Sequence, residues 1–173
     1  MEYFLKLIIP SIKFFIFSFL AFSIYIEKGF SATSTGSLTA NASVVAACSI
    51  ATGGVIDFGV YDVTDLSAKT ANTGTTLKVQ CTKNTDWKVY STQTDATKIM
   101  ITAGGSTSET QMPYLLYSNS GLTTLLPVTG TVDSVSGKGN GSLQNATIYG
   151  KVAPGLNVVA GSYTQIINLS IDY

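Results

Sequence analysis

Alternation of apolar and polar residues dominates this chain after residue 31, and it predicts β-strands. The clearest example is the final segment, residues 160–173 (AGSYTQIINLSIDY), in which Gln165 interrupts the apolar face and Ile166 interrupts the polar one. The apolar face carries Tyr163, Ile167, Leu169, Ile171 and Tyr173. Because the alternation continues to the last residue, we expect another molecule to cover the edge of this strand.

Shorter segments between residue 55 and the final segment show the same two-residue period. Strands are predicted at residues 55–61 (VIDFGVY), 75–81 (TTLKVQC), 87–91 (WKVYS), 98–102 (KIMIT), 113–118 (PYLLYS) and 146–152 (ATIYGKV). Polar or glycine-containing stretches such as 137–141 (GKGNG) separate them, and no window has a convincing helical period. Seven or more short strands without a helix predict an all-β fold, an immunoglobulin-like β-sandwich. Because the sequence stops at its final strand, we expect this sandwich to lack its last strand. A β-barrel fits the same pattern.

A strand-like segment also precedes the first cysteine. Its small apolar face includes Leu38, Ala40, Ala42 and Val44. A spare strand at one end and an uncovered strand at the other predict exchange between molecules, since an added strand gains backbone hydrogen bonds and fills pockets with alternate side chains. We therefore interpret residues 32–47 as a donor segment and residues 48–173 as the domain. The alternative is that this segment is the domain's own first strand.

The N-terminal residues indicate export. Lys6 and Lys13 precede a run of thirteen residues, 14–26, whose only polar members are serines, and small residues lie at Gly29 and Ser31. This arrangement is typical of a cleaved signal peptide over residues 1–31. A permanent membrane anchor is the alternative, although the uncharged run is shorter than the roughly 20 residues that a spanning helix needs.

Composition removes most catalytic chemistry. The sequence encodes no histidine and no arginine, so histidine-dependent catalysis, histidine metal sites and arginine clamps are excluded. We predict no enzyme activity, no metal site and no cofactor. Without residues 1–31 the net charge is about −1, so the sequence lacks the excess of basic residues that nucleic-acid binding requires. Asp57, Asp62 and Asp65 could supply a carboxylate pair for glycoside hydrolysis, but we expect turn-forming side chains. We expect Trp87 in the core rather than in a sugar-stacking site.

The two cysteines, Cys48 and Cys81, both follow the export signal. In an oxidising compartment an even pair predicts a disulfide. The closed loop of about 34 residues corresponds to about 3.7 kcal/mol of stabilisation in the chain-entropy model. A metal or catalytic role is the weaker alternative, because no histidine could assist it.

Three stretches resemble the spore coat protein U domain family, the subunits of archaic chaperone-usher pili. They are "FGVY" after the first cysteine, "LKVQC" at the second, and above all "IYGKVAPGLNVVAGSYTQIINLSIDY" at residues 148–173. The similarity covers nearly all of the chain after residue 31. It departs at Gln165 and Ile166, where the family usually has aspartate and threonine.

The resemblance implies a function. It implies a subunit held in the periplasm by a chaperone that lends a strand, then polymerised through an outer-membrane usher by donor-strand exchange with neighbouring pilin subunits. Ile167, Leu169, Ile171 and Tyr173 would line the acceptor edge and bind the chaperone. Leu38, Ala40, Ala42 and Val44 would enter the neighbour's groove. We expect a cell-surface pilus serving adhesion or biofilm formation. A secreted carbohydrate-binding or adhesin module, or a coat protein that does not polymerise, is the alternative.

Overall fold

The computed structural model describes residues 31–94 and 98–173, so the predicted signal peptide lies outside them except for its last residue. The chain divides into two compact units, Met1–Ala42 and Ser43–Tyr173. In the first unit, residues 31–42 have exposed side chains and no helix or strand. Within the described ranges, no helix is long and apolar enough to cross a membrane.

The second unit contains every strand of the described residues. Its one helical segment there is a single 3-10 turn at Ser108–Thr110, and the predicted all-β fold is confirmed. The strands are β1 (Cys48–Thr52), β2 (Lys69–Asn72), β3 (Lys78–Cys81), β4 (Asp86–Ser91), β5 (Ile99–Thr102), β6 (Gln111–Tyr117), β7 (Val135–Lys138), β8 (Leu143–Asn145), β9 (Tyr149–Val152), β10 (Tyr163–Thr164) and β11 (Leu169–Asp172).

The strands form three antiparallel sheets. Their orders are β1-β3-β8, β11-β4-β7 and β10-β5-β6-β9-β2. The two three-stranded sheets are joined end to end, because β3 leads into β4 through one turn and β7 leads into β8 through another. Backbone bonds link these turns, with Asn84 N donating to Gly139 O at 2.8 Å and Gly139 N donating to Thr85 O at 2.7 Å. Strands β3 and β4 thus follow each other end to end, and we call them the β3–β4 pair. Strands β7 and β8 lie on one side of this pair, and β1 and β11 lie on the other.

The core lies between the β3–β4 pair and the five-stranded sheet. Alternate residues of each strand point inward, as the period of two requires. The buried side chains of this core include Val79, Trp87, Val89, Met112, Tyr114, Leu116, Val152 and, just before β9, Ile148. They form one cluster, so the sheets pack face to face. Trp87 is only 4% exposed, which confirms its predicted place in the core.

Three sequence predictions about strands need correction. Residues 55–61 are not a strand; their side chains alternate, but no neighbouring strand pairs with their backbone. The final strand is split into β10 and β11 around residues 165–168, where the alternation itself breaks. Strands β1, β2, β7 and β8 were not predicted; all four are short edge strands, and β2, β7 and β8 have few apolar residues.

Candidate functional site

The second unit contains a largely apolar groove between two stretches of chain. We call residues 53–63 the first wall and residues 156–169 the second wall. One compartment of about 670 Å³ lies between residues 53–58 and residues 163–169. A second compartment, of about 820 Å³, lies between residues 56–63 and 158–163. Both are lined by Ile56, Phe58, Met100 and Tyr163, so the two compartments adjoin, and we refer to them together as the groove.

The floor of the groove is the inner face of the five-stranded sheet. Tyr114, Leu116 and Ile148 are buried there. The Tyr114 hydroxyl donates to Gln165 Oε1 at 2.7 Å, which provides a polar partner on the second wall. Burial raises the pKa of Tyr114 to about 12, because the phenolate would lose hydration. Folding therefore favours the neutral form of the Tyr114 phenol.

The first wall is held by side-chain packing rather than by a strand ladder. Ile56 and Phe58 pack against the core, and the ring of Phe58 lies 6.0 Å from that of Tyr114 at an angle of 56°. This close approach requires Gly150 on β9, since a Cβ there would lie 2.7 Å from Phe58 Cζ. At the start of the wall, Val55 N donates to Thr76 Oγ1 at 3.0 Å.

The second wall ends in β11, which is the outer strand of its sheet. In the described part of the chain, β11 has β4 on one side and no strand on the other. Thr92 N donates to Asn168 O at 3.0 Å, and hydrogen-bonded pairs alternate along an antiparallel ladder. The backbone groups of Ser170 and Asp172 therefore point toward β4. Those of Leu169 and Ile171 point away from it, toward the open edge.

The predicted acceptor residues meet this geometry to different degrees. Ile167, Leu169 and Ile171 are half-buried and pack against the core, whereas Tyr173 is 63% exposed. The predicted donor residues Leu38, Ala40, Ala42 and Val44 are all exposed, and their segment has no regular secondary structure. The structure thus brings Ile167 and Leu169 to the second wall and places Ile171 on β11, and the described residues of the donor segment belong to no strand.

The predicted disulfide is confirmed. Cys48 and Cys81 are bonded, with an S–S distance of 2.04 Å, and they are opposite each other in the β1–β3 register. Thr82 fixes the chain just before Cys48. Its backbone N donates to Ala47 O at 2.9 Å, and its Oγ1 accepts from Ala47 N at 3.1 Å. The chain is therefore fixed to the domain where the donor segment ends.

Comparison with known families identifies the chain. The Spore Coat Protein U domain family matches residues 34–170. The chain belongs to this family.

Other comparisons add little. A crystal structure of the CsuC-CsuE chaperone–tip adhesion subunit pre-assembly complex, from archaic chaperone-usher Csu pili of Acinetobacter baumannii, has 15% sequence identity and a TM-score of 0.48. The match covers 75% of this chain and 40% of that one, so the present chain spans less than half of that chain's length. No curated protein matches.

The carboxylates of this Spore Coat Protein U domain form turns, as predicted. Asp57, Asp62 and Asp65 each accept a hydrogen bond at 2.8 Å from the backbone N–H two residues ahead. Hydrogen bonds from the Thr64 hydroxyl and N–H lower the pKa of Asp62, and the Ser67 N–H lowers that of Asp65. A glycosidase's general acid needs a raised pKa, so neither group is suited to that role.

The 670 Å³ compartment of the groove is mainly apolar. None of the residues lining the 670 Å³ compartment carries a charge, and the described residues contain no cluster of metal ligands. Sequence reasoning found the second wall of the Spore Coat Protein U domain but not the first. The signal for the first wall was present in the alternation of Ile56 and Phe58 with Asp57 and Gly59, which we interpreted as part of an ordinary strand. Nothing in the sequence indicated the contact between Tyr114 and Gln165.

Proposed function

We propose that this chain is a structural subunit of a surface pilus, assembled by the chaperone-usher pathway through donor-strand exchange. The observation that supports this most is the apolar groove between two walls, one ending in an edge strand, in a Spore Coat Protein U domain. The whole fold is then an immunoglobulin-like sandwich that lacks its last strand. A strand from another molecule would complete it.

The proposal gives the donor segment, residues 32–47, a defined role. Leu38, Ala40, Ala42 and Val44 would enter the groove of a neighbouring subunit. If each buries about 50 Å² of apolar surface, the four contribute about 5 kcal/mol at 25 cal/mol per Å². A backbone ladder with the open edge of β11 would add to this, because the N–H and C=O groups of Leu169 and Ile171 point there.

Export and assembly follow from the same proposal. Residues 1–31 would direct the chain to the periplasm as a cleaved signal peptide. There a chaperone would occupy the groove, with Ile167, Leu169, Ile171 and Tyr173 as the edge that it binds. An outer-membrane usher would then replace the chaperone's strand with that of the next subunit. The resulting pilus would serve adhesion or biofilm formation, and the subunit would need no cofactor.

A truncated subunit and a synthetic peptide test the exchange. A chain beginning at Val45 keeps the disulfide and the groove and loses the donor side chains. We expect it to remain monomeric and to form a 1:1 complex with a peptide of residues 34–47. The complex should unfold at a higher temperature than the free truncated subunit, since a ligand that binds only the folded state stabilises it. Size-exclusion chromatography and thermal unfolding measure both.

The matched control is the same peptide with Ala42→Arg, which should bind far less because a long charged side chain cannot enter an apolar groove without desolvation and strain. Equal stabilisation by both peptides, or polymerisation of the truncated subunit, would contradict the donor assignment. The segment would then be the domain's own first strand. A subunit that binds neither peptide would favour a secreted module that does not polymerise.

A further inference from the structure

The hydroxyl of Tyr61 connects the two walls of the groove. Tyr61 belongs to the first wall, and its Oη donates to Ala153 O at 2.9 Å and accepts from Leu156 N at 2.9 Å. Leu156 is the first residue of the second wall. These two bonds join the first wall to residues 153–156, where the second wall begins. No other hydrogen bond found within residues 31–94 and 98–173 joins the first wall to this stretch.

Both walls otherwise have few fixed points near this position. The first wall is bonded to the rest of the domain through Val55 at its start, and the next bond, from Gly59 N to Asp57 Oδ1, stays within the wall. The second wall is held near its start by Val159 N, which donates to Glu109 O at 2.8 Å. Tyr61 also lines the 820 Å³ compartment, so its hydroxyl bonds lie at that end of the groove.

Insertion of a strand needs walls at a defined separation. Neighbouring strands lie about 4.8 Å apart, so the backbones on either side of an inserted strand must be held about 9.6 Å apart. A wall that moves freely has to be ordered when the strand binds, and the entropy of ordering lowers affinity. Resting on the proposed function, we infer that Tyr61 is a positioning residue that holds the walls at the separation required for an incoming strand.

The test removes one oxygen atom from the full chain. Tyr61→Phe keeps the ring in its packing and loses both hydroxyl bonds. The control is Tyr90→Phe, which removes a hydroxyl that bonds Asp172 Oδ1 at 3.0 Å on the outer face of β4 and β11. A fluorescently labelled peptide of residues 34–47 is titrated with each protein. Each titration is run at the same number of degrees below the unfolding midpoint of the protein in question, so that the folded fraction is the same. We expect about tenfold weaker binding for Tyr61→Phe and less than a twofold change for Tyr90→Phe.

Amide hydrogen exchange provides a second readout that does not depend on the peptide. In Tyr61→Phe, residues 53–63 and 153–158 should exchange about tenfold faster, while the β6–β9 ladder keeps its wild-type rates. Uniformly faster exchange, or no change at residues 53–63, would overturn the inference. So would equal peptide affinities of Tyr61→Phe and the wild type. If no chain binds the peptide, the proposed function is contradicted, and exchange at the two walls still decides the role of Tyr61.

Discussion

Residues 38–44 and residues 55–61 have the same alternating pattern and opposite surroundings. Leu38 and Val44 are 96% and 85% exposed, whereas Ile56 and Phe58 are half-buried against the core. Neither segment belongs to a strand. Alternation therefore identifies a face whose apolar side chains are suited to burial. It does not identify the backbone that pairs with the segment, or whether that backbone belongs to the same chain.

The largest expected effect concerns the disulfide that joins β1 to β3, since Cys48 lies between these two segments in the sequence. The double variant Cys48→Ser/Cys81→Ser opens a loop of 33-residue separation, and the free energy of unfolding should fall by about 3.7 kcal/mol. Urea denaturation of the oxidised wild type and the variant measures the difference. Reduced wild-type protein is the matched control and should behave like the variant. Equal stability of all three samples would show that packing alone holds β1 on β3.

The next effect tests whether the first wall belongs to the folded domain. Phe58→Ala should lower the free energy of unfolding by about 3 kcal/mol, because the ring packs on Tyr114 and over Gly150. Urea denaturation again gives the number. Val60→Ala, on the same wall but 87% exposed, is the control and should change stability by less than about 0.5 kcal/mol. Similar losses of unfolding free energy for both variants would mean that Phe58 is no better packed than the exposed Val60.

A smaller effect concerns the burial of Tyr114 by Phe58, which the pKa of the Tyr114 phenol reports. The pKa of Tyr114 is raised to about 12 in the folded chain, so folding favours its neutral form. Its contribution to stability is complete below pH 10 and is lost as the pH rises from 10 to 12, by about 2 kcal/mol. Tyr114→Phe should remove this part of the pH dependence. Phe58→Ala should move the transition toward pH 10, and spectrophotometric titration of the phenol tests this directly.

The smallest expected effect lies in the exposed segment. Leu38→Ala removes a side chain that touches no core, so the unfolding free energy of the monomeric full chain should stay within about 0.5 kcal/mol of the wild type. The same substitution in the peptide of residues 34–47 should weaken its binding to the truncated subunit. A large loss of monomer stability would instead place Leu38 in the fold of its own chain.

These contrasts explain what the sequence could and could not predict. The inner strands β3, β4, β5, β6 and β9 were recognised because their buried faces alternate over several residues. Edge strands such as β2 (KTAN) and β7 (VSGK) have little apolar surface and gave no signal. The break at Gln165 and Ile166 was visible in the sequence, yet its consequence was not, because continuity of a strand depends on the neighbouring backbone.

The candidate site divides in the same way. Ile167, Leu169 and Ile171 were predicted as an edge from alternation and family resemblance; Ile167 and Leu169 lie on the second wall, and Ile171 follows on β11. The first wall was predicted as a strand because burial of Ile56 and Phe58 has the same period with or without a ladder. The bonds of Tyr61 to Ala153 and Leu156 join residues more than ninety positions apart, and no local pattern encodes such contacts.

The attachment of Ala47 and Cys48 determines how the domain carries mechanical load. Tension applied to residues 31–44 reaches the domain at Val45 and Ala47, where hydrogen bonds with Thr82 resist it first. It then passes through the Cys48–Cys81 bond into β3, because Cys48 is the first residue of β1. The force therefore reaches an inner strand of the core without first peeling the rest of β1 away from β3.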